Sequence, residues 1–219
     1  MSEDHSAAPQ TEGRGGGPTV FRGTALDRIV FFSDAVVAIA ITLVVLPLVD
    51  GARDLEGRTA AQFVSDNGWQ LAAAALTFVV VAVFWRTHHA LFAHATGATS
   101  RAVSLNLLWL ACIAFFPVPT VLLVDADGDD RVAHALYIGT MLVAVVTLVL
   151  ESIELERHGL VPPDDGPPVA RWTASIAFAL AFVLSFAFPS WNAWPLLVLV
   201  PTAWVERSLR RRARGRAQG

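Results

Sequence analysis

Long apolar stretches separated by short polar segments run through this chain. A bilayer core is about 30 Å thick, and a helix needs roughly 20 apolar residues to cross it. Six stretches are candidates for such helices: 28–49, 69–92, 102–124, 132–153, 170–188 and 191–207. The pattern therefore predicts an all-α integral membrane protein, folded as a six-transmembrane-helix bundle.

The composition agrees with a membrane protein and argues against an ordinary soluble domain. The 219 residues are 54% hydrophobic and only 16% charged, with a mean hydropathy of +0.53. Soluble domains have about 25% charged residues. The single cysteine, Cys112, lies within an apolar stretch and makes neither a disulfide nor a cysteine-based metal site available.

The chain divides into three parts. Its first 20 residues are rich in Gly, Ser and Pro and contain no apolar core, so we expect a disordered leader and not a cleavable signal peptide. The leader is predicted over 1–22, the transmembrane domain over 23–208 and a basic tail over 209–219. We expect the leader and the tail to be cytoplasmic.

The arginines predict the orientation in the membrane. All sixteen basic residues are Arg, and only three of them fall in the loops after the first and third stretches. The other thirteen lie on the opposite side, which also receives both termini if there are six spans. Because positive loops stay inside, we expect a multi-pass protein of the cell membrane with both termini cytoplasmic.

The first stretch, RIVFFSDAVVAIAITLVVLPLV, combines an apolar stripe with a polar flank. Helical residues advance by about 100°. With Ile39 at zero, the stripe also contains Leu43 at about +40°, Leu46 at about −20° and Thr42 at about −60°. Asp34 projects about 140° away from Ile39, and Ser33 about 120° away on the other side. We therefore expect the carboxyl group to face the helices packed behind this one.

Residues from three stretches are expected at the same depth as that carboxyl group, about one or two turns from the cytoplasmic end. The second stretch descends through FWRTHHALF and the third ascends through SLNLLWL. A buried carboxylate needs hydrogen-bond donors. The predicted network contains Ser33, Asp34, Trp85, His88, His89 and Asn106. The two histidines point about 100° apart, so one of them is expected in the network; the sequence does not decide which, and we favour His88.

Three interpretations of this polar network stay open at the sequence level. It is a clamp that fixes helix packing, a proton relay, or a metal site. Adjacent histidines diverge on a helix, unlike an i, i+4 pair on one face, which argues against the metal. We expect no cofactor and no metal site. No nucleic-acid partner is expected either.

The motif R-x-x-x-F-S-D, here Arg28, Phe32, Ser33 and Asp34, resembles that of the prokaryotic TMEM175 family of potassium-permeable channels. The resemblance continues in FWRTHHALF and in LNLLWLACIAFFPVPT, and so covers the first three stretches. The last three agree mainly in number and spacing.

This resemblance implies a six-span subunit that assembles as a homotetramer in membrane lipid and conducts potassium and other monovalent cations. It implies a pore lined by the first helix, narrowed at Ile39, Leu43 and Leu46, with a hydroxyl ring from Thr42. Arg28 is then expected at the cytoplasmic mouth or paired with a neighbouring helix. The sequence contains no TVGYG, so we expect a channel without a carbonyl selectivity filter.

Two alternatives to this interpretation remain. The apolar stripe is equally typical of a helix face that contacts lipid or another helix. A secondary transporter or proton-linked carrier is the rival function, although the first stretch is continuous at its midplane, unlike the broken helices of many carriers. We expect no enzyme, because outside the polar network no nucleophile and base share one layer.

Overall fold

The computed structural model describes residues 19–53, 57–125, 130–164 and 167–187, with only the backbone of Pro168 and of residues 185–187. Within these ranges the chain forms seven α-helices and one ribbon of two short strands. The elements are β1 (Val20–Phe21), α1 (Thr24–Arg53), α2 (Ala60–Asp66), α3 (Gly68–Phe92), β2 (Ala98–Thr99), α4 (Ser100–Phe115), α5 (Pro117–Asp125), α6 (Arg131–Arg157) and α7 (Pro168–Ala187).

The long helices coincide with five of the predicted stretches. Four helical segments are long and apolar enough to cross a membrane, namely α1, α3, α4 together with α5, and α6. Helix α7 covers the fifth stretch and contains a shorter apolar part, Val169–Leu184. The sixth stretch, 191–207, lies outside the described residues, as do most of the predicted leader and the whole predicted tail.

Local chemistry explains where several helices begin. Thr59 and Gln62 form a capping box at the start of α2. The hydroxyl of Thr99 accepts from the backbone N–H of Ala102 and caps α4. The carboxyl of Asp130 accepts from the first backbone N–H groups of α6. Each cap satisfies donors that have no partner inside the helix.

Prolines act differently in α1 and in the third stretch. Pro47 lies inside α1 without ending it. By contrast, the third stretch is divided at Phe116, directly before Pro117, into α4 and α5. Pro117 and Pro119 both lack a backbone N–H, so two ladder bonds are missing within one turn. The predicted third span is therefore a divided helix.

Helix α6 forms the centre of the bundle, packing extensively against both α4 and α7, while α1 packs against α3 and α4. We call the side on which α1, α4 and α7 begin and α3 and α6 end the proximal end, and the opposite side the distal end. Antiparallel neighbours of this kind bring residues far apart in sequence to one depth.

Two apolar clusters fill the interior, separated by a polar layer. The distal cluster includes Val37, Phe84, Trp109 and Leu148. The proximal cluster includes residues from the same four helices. The polar layer, defined by one buried residue from each of these helices, consists of Ser33, His88, Asn106 and Glu151, with Glu151 about one turn nearer the proximal end than the other three. Each of the four lies along its helix between a residue of one cluster and a residue of the other.

A short antiparallel ribbon closes the proximal end. Val20 pairs with Thr99 and Phe21 with Ala98, which joins the segment before α1 to the turn between α3 and α4. The last residues of the predicted leader thus include a strand, which the sequence pattern did not indicate. Thr96 at the same turn donates its backbone N–H to Leu160 after α6, so three segments meet here.

Candidate pore helix and its polar anchor

Helix α1 is buried along one face only. Its buried residues are Leu26, Ser33, Val37, Ala40 and Val44, all on the side away from Ile39. The spacing of these residues is that of a single helical stripe. Helix α1 is therefore anchored along its back, and its opposite face is open in the subunit.

The open face carries the predicted apolar stripe. The exposed fractions are 60% for Ile39, 42% for Leu43 and 47% for Leu46. Thr42 is exposed beside them and donates its hydroxyl to the carbonyl of Ile39 at 2.7 Å. Since that bond uses the only hydroxyl hydrogen, Thr42 Oγ1 can act only as an acceptor toward groups outside the helix.

One anchor of α1 is the bond between Asp34 and Trp85. The indole Nε1–H of Trp85 donates to Oδ1 of Asp34 at 2.8 Å, and both side chains are half-buried. A bond from an N–H donor to a carboxyl oxygen is among the stronger side-chain contacts. It fixes α1 to α3 at the depth predicted from the sequence.

A second anchor is a chain of hydrogen bonds through Ser33, Asn106 and His88. Ser33 donates its hydroxyl hydrogen to the carbonyl of Ile29 at 2.9 Å. Its oxygen must therefore accept from Nδ2 of Asn106, also at 2.9 Å. Asn106 then presents Oδ1 to His88 Nε2 at 2.9 Å, so this nitrogen carries the proton and donates. The three bonds link α1, α4 and α3 in one direction.

The two adjacent histidines occupy different environments. His88 is buried and stacks flat on Trp109, with ring centroids 4.3 Å apart and planes 2° apart. His89 is exposed and stacks on Trp85 at 5.3 Å. Of the two, His88 makes the bond to Asn106. Among the described residues its Nδ1 has no hydrogen-bond partner.

The first two members of the motif lie on the surface beside this chain of bonds. Arg28 and Phe32 are exposed and border an open groove of about 310 Å³ between α1 and α4. Asn106 also lines this groove. The motif therefore has two buried or half-buried anchoring residues, Ser33 and Asp34, and two exposed ones.

A buried chain of hydroxyl groups in the distal half was missed from the sequence. Thr120 donates to the carbonyl of Phe116 at 2.8 Å, so its oxygen accepts from Thr77 at 3.1 Å. Thr77 in turn accepts from the hydroxyl of Tyr137, also at 3.1 Å. Three helices are thereby joined. The sequence signal for this chain was the presence of three hydroxyl residues inside apolar stretches. The relative positions of the three helices, which decide whether these residues meet, could not be predicted from the sequence.

The two histidines near the ends of α6 differ in burial, and only His134 departs from the prediction. Isolated histidines near span ends, here His94, His134 and His158, are most simply predicted to face solvent. His134 is in fact buried, with Nδ1 2.8 Å from the carbonyl of Asp130. His94 and His158 are exposed, as predicted, and Nδ1 of His158 lies 2.9 Å from the backbone carbonyl oxygen of Glu154 and 3.4 Å from its Oε1. In both α6 histidines the imidazole Nδ1 lies within hydrogen-bond distance of the backbone carbonyl oxygen four residues earlier.

Metal ligands do not gather in the part of the chain that the structure describes. It contains no group of three or more His, Cys, Asp or Glu residues placed to hold a metal ion. The polar layer instead supplies directional hydrogen bonds between helices.

Four apolar segments long enough to span a membrane, packed around a buried polar layer, define a multi-pass α-helical membrane protein. The comparisons with known proteins then identify its family. Residues 28–117 match the family model described as endosomal/lysosomal potassium channel TMEM175. A potassium channel of Streptomyces collinus is 34% identical over 161 residues, which are 70% of this chain and 75% of that protein. The chain belongs to the TMEM175 family, as its motif indicated.

Other relatives extend the similarity. A potassium channel of Chamaesiphon minutus is 32% identical over 54% of this chain and 60% of that protein. The endosomal/lysosomal proton channel TMEM175 of Mus musculus is 32% identical over 42% of this chain, but only 20% of the mouse protein is covered. The family is one of ion channels and not of enzymes, which confirms the expectation that the chain is no enzyme.

Proposed function

We propose that this chain is the subunit of a potassium-permeable cation channel whose pore is lined by α1. The observation that carries the proposal is the two-sided character of α1. One face is buried and held by polar contacts, and the opposite face is exposed and apolar. Membership of a family whose relatives are named potassium channels supports potassium as the permeant ion. Four copies arranged around one axis, each with the open face of α1 toward that axis, form a closed pore wall without any other element.

The constriction in this proposal is a ring of Ile39 side chains, extended toward the distal end by Leu43 and Leu46. Apolar side chains have no lone pairs to replace the hydration shell of an ion, so a narrow ring of them excludes water and gates by dewetting. Opening then requires α1 to rotate or move outward until water fills the passage. Arg28, exposed and about 20° from Ile39 in projection, lies at the proximal mouth.

Selectivity in this proposal comes from side chains. No TVGYG segment supplies a ladder of carbonyl groups. The free lone pairs of Thr42 Oγ1, exposed beside the apolar stripe, support a hydroxyl ring that offers partial coordination to a cation. We expect a modest preference among monovalent cations from such a ring.

The wider arrangement follows from the same proposal. The chain is taken to have six spans, with the sixth over 191–207, and to lie in the cell membrane with the proximal end in the cytoplasm. The distribution of arginines supports this orientation. The Ser33, Asp34, Trp85, His88 and Asn106 contacts are taken as the anchor that holds α1 against the body of its subunit while its other face moves.

Replacement of Ile39 by Asn tests the proposal in vesicles that contain the purified protein. A ring of amide groups wets the constriction, so resting potassium flux is expected to rise at least several-fold. Val45→Asn is the matched control, because Val45 is also exposed on α1 but projects about 120° from Ile39. Equal flux in the two variants would contradict the constriction. Saturable uptake coupled to another ion, without unitary currents, would instead support a carrier.

A further inference from the structure

Glu151 on α6 is an ionisable residue that neither the motif nor the pore uses. Its side chain is 0% exposed, and both carboxyl oxygens lack a hydrogen-bond partner among the described residues. Along α6 it lies between Leu148 of the distal cluster and Leu155 of the proximal cluster. A carboxylate without donors in such surroundings is strongly unfavourable, and ionisable residues inside spans commonly mark a function.

A second unpartnered oxygen lies on the facing helix. Ser175 of α7 is 4% exposed, and its hydroxyl has no partner among the described residues. The ion pair between Arg171 and Glu156, at 2.6 Å, gives the register of the two antiparallel helices. Glu151 lies five residues before Glu156 on α6, and Ser175 lies four residues after Arg171 on α7. At a rise of about 1.5 Å per residue, Glu151 and Ser175 therefore lie within about 1.5 Å of the same depth.

The neighbouring basic groups are committed to other carboxyl groups. On α4, Arg101 lies 3.9 Å from the carboxyl group of Glu154. At the end of α6, Nδ1 of His158 lies 2.9 Å from the backbone carbonyl oxygen of Glu154 and 3.4 Å from its carboxyl group. On α7, Arg171 contacts both Glu156 and Asp164.

The remaining titratable group of the polar layer is His88 on α3, whose Nε2–H is donated to Asn106. Helix α4 brings Ala102, a residue without a polar side chain, to the depth of Glu151, as counted from the contact between Thr99 and Glu154. None of these groups supplies Glu151 with a positive charge, and a proton is the smallest cation that can neutralise it.

We propose that Glu151 is a proton-binding site in the interior of the subunit, and that Ser175 completes the site. The step is proton binding alone: a carboxylate takes one proton from water, becomes a carboxylic acid and loses its negative charge. The acid then has one O–H donor and a carbonyl acceptor, which match the donor and acceptor of the serine hydroxyl. Because Glu151 lies on α6 and Ser175 on α7, the bond formed when the proton binds joins these two helices.

Infrared spectroscopy of the full-length protein in lipid nanodiscs tests the site without any flux measurement. A protonated carboxyl group gives a C=O stretching band above the amide I band, and this band shifts in heavy water. Near neutral pH the band is expected in the wild type and in Glu154→Gln. It is expected to be absent in Glu151→Gln and to move in frequency in Glu151→Asp.

Ser175→Ala is expected to shift the band of Glu151 to higher frequency, because the protonated carboxyl group loses the hydrogen bond with Ser175 that we propose to form when the proton binds. An unchanged band in this variant would remove Ser175 from the site. A wild-type spectrum without an acid band near neutral pH would overturn the proposal, because Glu151 would then be ionised and balanced by a cation. If Glu151→Gln does not fold, the Glu151→Asp shift and loss of the wild-type band at alkaline pH still decide the matter.

Discussion

The hydrogen bond from Asn106 to Ser33 joins α4 to α1 at the polar layer and can be measured by a double-mutant cycle. Both side chains are buried, and the bond is 2.9 Å long. Interhelical hydrogen bonds of this kind contribute about 0.6 kcal/mol on average and about 1.7 kcal/mol at most inside membranes. We expect a coupling energy in that range between Ser33→Ala and Asn106→Ala.

The single substitutions should differ in size. Asn106→Ala removes the bond to Ser33 and also leaves the Nε2–H of His88 without an acceptor. An unsatisfied buried donor costs about 1–3 kcal/mol, so the total loss in the free energy of unfolding is expected to be about 2–4 kcal/mol. Ser33→Ala also leaves a buried donor, the Nδ2–H of Asn106, without an acceptor, but it breaks one interhelical bond and not two, so we expect a smaller loss of about 1–3 kcal/mol.

The assay is reversible unfolding of the detergent-solubilised protein, followed by tryptophan fluorescence. Ser104→Ala combined with Ser33→Ala is the control cycle, because Ser104 is exposed and donates its hydroxyl to the carbonyl of Ser100 within its own helix. The control pair should be additive within experimental error. A coupling energy near zero between Ser33→Ala and Asn106→Ala would refute the anchoring role of this bond.

Two further substitutions test other contacts. Gly97→Ala places a Cβ 2.9 Å from the backbone oxygen of Phe21, whereas a Cβ at Gly68 would have nothing within 4 Å. Gly97→Ala should therefore lower the melting temperature and expose the segment before α1 to trypsin. The same behaviour in the control variant Gly68→Ala would contradict the steric reason. Trp85→Phe keeps an aromatic ring but removes the donor to Asp34. We expect the free energy of unfolding to fall by about 1.5 kcal/mol, the lower end of the range for a bond to a charged group, because Asp34 is only half-buried. An unfolding free energy equal to that of the wild type would show that this bond does not hold α1 to α3.

The extent of the helices followed from the sequence because the bilayer sets a simple length rule. The predicted stretch 69–92 differs by one residue from α3 (Gly68–Phe92), and 132–153 lies wholly within α6. The depth argument likewise brought the side chains around Asp34 to one level. These predictions needed only the rise per residue and the direction of each helix.

The buried face of each helix was harder to predict. In α3 the buried residues Thr77, Val81, Phe84 and His88 follow a helical stripe, but exposed neighbours such as Val83 are equally apolar. Hydrophobic periodicity is therefore nearly absent where lipid and core are alike. For the same reason the sequence could not decide between His88 and His89, and it gave no sign that Glu151 is buried.

The ribbon and α2 were missed for a different reason. Two-residue strands such as Val20–Phe21 carry no alternation that can be distinguished from a loop. Helix α2 (Ala60–Asp66) has only seven residues, and its signal was the pair Thr59 and Gln62 of its capping box. That signal is present in the sequence but was not used.

The most direct test of the pore proposal is a structure of the assembled complex in lipid, viewed along the membrane normal. We expect α1 of each subunit to border the central axis, with the Ile39 side chains facing one another and Ser33 turned toward its own subunit. If α1 lay at the periphery with Ile39 in contact with lipid, the proposed pore would be wrong.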